Sequence, residues 1–167
     1  AVDGAKIAGV GKDLRVDGAS TVDCEGLIVT PGLIDLHTHV YWGGTSIGVD
    51  PDEHADKSAC TTLVDAGTAG PGNFPGFLKH VIEPARVRVV PFLNLSFAGI
   101  FAFSKTVMMG EGTNLELLNA EEALRIALQH RGLIAGIKVR VGLHASGAMG
   151  IEPMEIALQV CEEADLP

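Results

Sequence analysis

At 167 residues with 47% hydrophobic residues, the chain is long enough to bury the core of one ordinary domain. Its net charge of −9 comes with no run of Lys or Arg, which speaks against a nucleic-acid partner. Cys24, Cys60 and Cys161 are odd in number, far apart and in no C-x-x-C arrangement, so neither a disulfide framework nor a structural zinc finger is expected and a cytoplasmic setting fits.

The first 25 residues carry short apolar pieces, Lys6–Val10 and Ser20–Val22, separated by turns such as Val16-Asp17-Gly18, and predict small β-structure. An apolar stretch, LIVTPGL, then closes on Pro31-Gly32 and feeds a strand predicted over Leu33–Val40. Strand side chains alternate, so Asp35, His37 and His39 share one face while Leu36, Thr38 and Val40 take the other. Two imidazoles on one rigid edge suit a divalent metal, zinc first by ligand type, although a bare H-x-H also arises by chance.

Three more strands are predicted, over Thr61–Ala66, Val87–Leu95 and Leu133–Val141, each followed by a helical pattern or a Gly-rich loop. Helices are predicted to start near Asp50, Asn73, Asn119 and Glu152, with Pro51 and Pro153 in first turns. The apolar stretch 87–103 is broken by Arg88, Pro91, Asn94 and Ser96, so no membrane span is expected. The chain begins with Ala and stops at Asp165-Leu166-Pro167, where an α/β order calls for another strand; a piece of a longer protein is expected.

Strands alternating with helices predict a parallel sheet, either doubly wound or a barrel. Doubly wound strands read as continuous apolar runs. The fourth strand instead sets Ala135, Ile137 and Val139 against Gly136, Lys138 and Arg140, and polar residues gather toward strand C-termini, as active sites do in a (β/α)₈ barrel. The α/β fold expected is therefore the first half of a TIM barrel. Lys138 on the inward face is costly unless paired or modified. It reads as a salt-bridged structural lysine, a Schiff-base nucleophile, or a lysine carboxylated by CO₂, whose carbamate can bridge two metals. Beside H-x-H the third reading is preferred.

PGLIDLHTHV followed by a lysine on the fourth strand resembles the amidohydrolase superfamily of binuclear metal hydrolases. TTLVDAGTAGPGNFPGF at 61–77, PFLNLS at 91–96 and GIKVR at 136–140 are similar, more narrowly, to its amidohydrolase/deacetylase, dihydroorotase-like subgroup. The resemblance implies that His37 and His39 bind the more buried of two divalent ions, with Zn²⁺ as the default, and that carboxylated Lys138 bridges both. It implies hydrolysis of an amide, cyclic amide or acetyl ester of a small molecule by metal-bound hydroxide. Residues 1–30 would end a small β-sandwich and 31–167 would form the first four βα units. Two further histidines and a catalytic aspartate are expected beyond Pro167, so the piece alone is expected to be inactive. Its open edge strands would invite a homo-oligomer.

His54 and His80 fall in helical segments and His130 near a helix end, where surface roles are the simpler reading. His144, in the Gly-rich loop 142–150, suits either a substrate contact or support of a ligand; Asp65 either orients a ligand or caps a loop. The loop 67–76 lacks the lysine and spacing of a phosphate loop and reads as a mouth loop. The segment 96–114, with Phe97, Phe101, Phe103, Met108 and Met109, suits a substrate pocket or an oligomer contact. Two rival functions stand beside the hydrolase: a non-catalytic barrel relative serving assembly, and a Schiff-base lyase using Lys138.

Overall fold

The computed structural model describes residues 1–167, in which 1–31 and 32–167 form separate units. In the first unit β1 (Val2–Asp3) pairs antiparallel with β2 (Lys6–Ile7). Gly4, at φ +55°, makes the turn between them, a conformation that costs glycine little. Pairing extends no further than two residues per strand, and Ser20–Val22 is not a strand.

The second unit is built on β3 (Leu33–Thr38), β4 (Cys60–Asp65), β5 (Arg88–Asn94) and β6 (Gly136–Lys138), all parallel and hydrogen-bonded in chain order. Between or after them run α1 (Pro51–Ser58), α2 (Phe74–Phe77, continued by a wider turn over Leu78–Ile82), α3 (Ala120–Gln129) and α4 (Glu152–Ala164). A doubly wound sheet reverses its strand order, whereas here every crossover adds the next strand on the same side. Right-handed connections then place all helices on one face, and the curling sheet is half of a TIM barrel.

Local chemistry sets the helix starts. Asp50 and Asn119 accept the backbone N–H of Glu53 and Glu122, each at 2.9 Å, and proline sits in the first turn of α1, α2 and α4. Leu63 and Leu93 from the strands are fully buried and join Phe74, Phe77, Ile126 and Val160 from the helices in one core.

All four barrel strands differ from their predicted extents, β3 ending at Thr38 rather than Val40 and β4 lying one residue earlier at each end. The N–H groups of Arg86 and Val87 both donate to the Asp52 carboxylate, so β5 begins at Arg88 rather than Val87. The fourth strand is shorter than Leu133–Val141, because the N–H groups of Leu133 and Ile134 turn back to the His130 carbonyl at the exit of α3. Cys24, Cys60 and Cys161 are free thiols, and no helix is long and apolar enough to cross a membrane.

Candidate functional site

Register brings the C-terminal ends of the four strands into line: Thr38 lies opposite Asp65, Asp65 opposite Pro91, and Asn94 opposite Lys138. His39 follows β3 directly and is half-buried, whereas His37 is exposed; their rings meet edge to face with centroids 5.4 Å apart. The His37 N–H donates to Asp35 Oδ1 at 3.1 Å, and His54 Nε2 lies 3.2 Å from Asp35 Oδ2. These contacts hold the Asp35 carboxyl below its usual range. His54 thus has a partner beside the site, where the sequence reading gave it a surface role.

The environment of His39 is the most organised part of the site. Asp65 is fully buried; its Oδ1 accepts the Thr68 N–H at 2.7 Å, and its Oδ2 accepts the Val40 N–H at 2.8 Å and the Thr68 hydroxyl at 2.7 Å. Burial pushes the Asp65 carboxyl upward, against the hydrogen bonds that favour its charged form. Thr68 Oγ1 also lies 2.8 Å from His39 Nδ1. A hydroxyl has one hydrogen, and here it goes to Asp65, so Thr68 accepts from His39 Nδ1–H. That fixes the tautomer with an unprotonated Nε2, the form a metal requires.

Burial first, then the charges of His37, Lys138 and Arg140, depress the His39 pKa to about 4. The folded imidazole therefore stays neutral while its unfolded counterpart, near 6.5, takes up a proton. Stability is full above about pH 6.5 and is lost as the pH falls toward about 4. Urea titrations of the metal-free protein near pH 7 and pH 4.5 are expected to show a larger acid loss in wild type than in His39→Gln. Equal losses would assign the acid sensitivity elsewhere.

Lys138 ends β6, half-buried, and its charge bears on His39, yet it takes part in none of the ion pairs of the structure. Its stem lies against Gly67, which has φ +77° and where any Cβ would overlap the Lys138 side chain. Buried Asn94 fixes that loop by donating to the Gly67 carbonyl at 2.9 Å, while its N–H donates to the Ala69 carbonyl at 2.9 Å. The Gly-rich loop 67–76 therefore packs beside the lysine rather than cradling phosphate.

His37, His39 and Lys138 are the side chains here that could hold a metal. No three His, Cys, Asp or Glu side chains converge, so a third donor from this unit would have to come from Lys138. The neutral His39 ring with a free Nε2 fits a divalent cation. His144 lines a cavity shared with Phe101, Met108, Met109 and Arg140. His80 sits within the Leu78–Ile82 turn and His130 closes α3, its ring 5.1 Å from that of Phe74.

Sequence reasoning left Asp65 undecided and missed Thr68. The signal was present only as a polar pair at the end of the second barrel strand, D-A-G-T, whose spacing lets a threonine return to its aspartate.

A family model for the amidohydrolase family matches residues 20–83. Over 163 residues the chain is 34% identical to a deacetylase of Agrobacterium fabrum, covering 97% of this chain and 39% of that protein. Over 71 residues it is 38% identical to an allantoinase of Escherichia coli, covering 39% of this chain and 15% of the other. Among solved structures, a dihydroorotase superposes with a TM-score of 0.83 at 33% identity, covering 98% of this chain and 43% of that one. The chain thus spans about two fifths of the deacetylase it matches over nearly its whole length.

Proposed function

From the chain's membership of the amidohydrolase superfamily, we propose that it carries part of the metal centre of a hydrolase acting on carbon–nitrogen bonds other than peptide bonds. The substrate class is an amide, a cyclic amide or an acetylated small molecule, in line with the deacetylase, allantoinase and dihydroorotase relatives. One observation carries the reading: His39, its Nδ1 2.8 Å from Thr68 Oγ1, stands edge to face with His37 at the C-terminal mouth of the half-barrel.

On this reading His37 and His39 would hold one of two divalent cations, zinc by donor type, and Lys138, as a carbamate, would supply oxygen donors to them. Its neutral amine adds to the carbon of CO₂ and releases a proton, leaving an anionic group with two oxygen donors. Bound cations of this kind supply a hydroxide-strength nucleophile near neutral pH and draw charge from the substrate carbonyl. Asp65 and Thr68 keep the His39 ring in its ligating orientation, and Asn94 with Gly67 keeps the Lys138 stem in place. The proton-transferring aspartate and the remaining ligands are proposed to lie outside residues 1–167, since the chain covers only 39% of its deacetylase relative.

Elemental analysis of the intact protein, with and without bicarbonate, tests this beside Lys138→Ala. About two equivalents of zinc-like metal are expected in wild type, dropping in the variant, whereas residues 1–167 expressed alone should show no turnover. Absence of metal from both intact proteins would sink the hydrolase reading. Borohydride trapping of a carbonyl compound on Lys138 would then favour the lyase, and no trapping the assembly role.

A further inference from the structure

We propose that Asp35, clamped by His54, positions the histidine pair: it holds a one-residue bulge in β3 that turns His37 and His39 away from the helices and onto the inner side of the half-barrel. The bulge belongs to the fold alone; its bearing on metal affinity rests on the hydrolase reading.

Asp35 lies opposite Leu63 and Thr38 opposite Asp65, so Leu36 and His37 together face the single residue Val64. Over this stretch β3 carries one residue more than its partner, the arrangement of a β-bulge. Paired residues of parallel strands project to the same side of the sheet, and Leu63 projects into the core shared with the helices. Asp35 and Thr38 take that side, as does the fully buried Val40 beyond them. His37 and His39 flank Thr38 and take the other side, which is also the side of Asn94 and Lys138. Unbroken alternation along the strand would instead put both histidines with Asp35, facing the helices, because a one-residue slip exchanges the two faces. The shared face that the sequence predicts for Asp35, His37 and His39 is broken by the extra residue.

Bulges are rare between parallel strands, so this one needs a local hold. Asp35 supplies it with both oxygens. Oδ1 accepts the His37 N–H at 3.1 Å, the turn an aspartate makes with the backbone two residues on, and so draws the chain into the extra residue. Oδ2 lies 3.2 Å from His54 Nε2 on α1, which fixes the carboxylate from the helix side. The Val49 N–H donates to the His39 carbonyl at 3.0 Å, so the segment leading into α1 also grips the chain just past His37. Held in this way, the two rings stand on one side of the sheet with centroids 5.4 Å apart. Asp35 acts through the His37 backbone and not on a reacting atom; it is a positioning residue.

The test compares the intact protein, ring-¹³C-labelled at histidine, with Asp35→Asn, Asp35→Ala and His54→Leu, first free of metal and then titrated with Zn²⁺ against a chelator. Wild type is expected to show a nuclear Overhauser contact between the His37 and His39 rings. Asparagine keeps the Oδ1 acceptor, and its amide N–H can donate to an unprotonated His54 Nε2, so Asp35→Asn should keep both the contact and the zinc affinity. Asp35→Ala should lose the contact and bind zinc about 10- to 100-fold more weakly, the usual cost of removing a ligand's outer support. His54→Leu should weaken the contact while unfolding as wild type does. An unchanged contact in Asp35→Ala overturns the proposal, and so does an equal loss in Asp35→Asn. Should Asp35→Ala not fold, His54→Leu decides: a weakened contact supports the proposal and an unchanged one overturns it. The contact is read without metal, so its loss in Asp35→Ala beside a wild type that binds no zinc would refute the hydrolase reading alone. Zinc binding by wild type with the contact unchanged in Asp35→Ala would refute the positioning role alone.

Discussion

Alanine at either His37 or His39 of the intact protein is expected to remove bound metal and turnover together, with kcat/KM falling by at least about a thousandfold, roughly 4 kcal/mol of transition-state stabilisation. Each substitution deletes one nitrogen donor from a centre to which this unit is proposed to contribute two imidazoles, and no three His, Cys, Asp or Glu side chains converge in the structure. The two variants should differ in stability. His37 is exposed and its ring has no hydrogen-bond partner, so His37→Ala should unfold at nearly the temperature of the metal-free wild type. His39→Ala leaves the Thr68 hydroxyl without its donor and should cost about 1 kcal/mol besides. Metal per chain by elemental analysis, read beside thermal unfolding, separates ligand loss from misfolding. Full metal content and full rate in His37→Ala would remove that histidine from the site.

The parts of this architecture that were legible in the sequence are those set by short-range chemistry. Asp50, Asn73 and Asn119 stand at the starts of α1, α2 and α3 because a helix start depends on the few residues around it. The histidine pair was visible because its members are two residues apart on one strand, and Lys138 because a period of two placed it with Gly136 and Arg140. Contacts that depend on loop conformation left no such trace. Thr68 meets His39 across 29 positions and Glu111 meets Arg140 across 29, each through a loop whose path is decided by packing. The His130 turn likewise shortened the fourth strand, since Leu133 and Ile134 are as apolar as strand residues but are captured by the helix that precedes them. In the first unit, Lys6–Val10 carries a strand-like pattern, yet only Lys6 and Ile7 form ladder pairs, while Ala8 and Gly9 bond to Ala1.

Asp65→Ala is expected to be the most destabilising single change in the site, by about 3 kcal/mol or more, because it strands several buried donors at once. The Val40 and Thr68 N–H groups and the Thr68 hydroxyl all end on this carboxylate in a place water does not reach. The same residue ties β4 to the segment that carries His39, so the loss spreads from stability to ligand geometry. Thr68→Val separates the two effects. Valine keeps the shape and leaves Asp65 its two backbone donors, but it removes the acceptor that fixes the His39 tautomer. Metal affinity should fall about 10- to 100-fold, the usual cost of removing a ligand's outer partner, while stability changes far less than in Asp65→Ala. Competition with a metal chelator measures the first quantity and urea unfolding the second. Parallel losses in both variants would mean that the Asp65–Thr68 pair serves only the fold. A loss of affinity in Thr68→Val with the fold intact would mean that the hydroxyl's single hydrogen, given to Asp65, decides which nitrogen of His39 is free to bind metal.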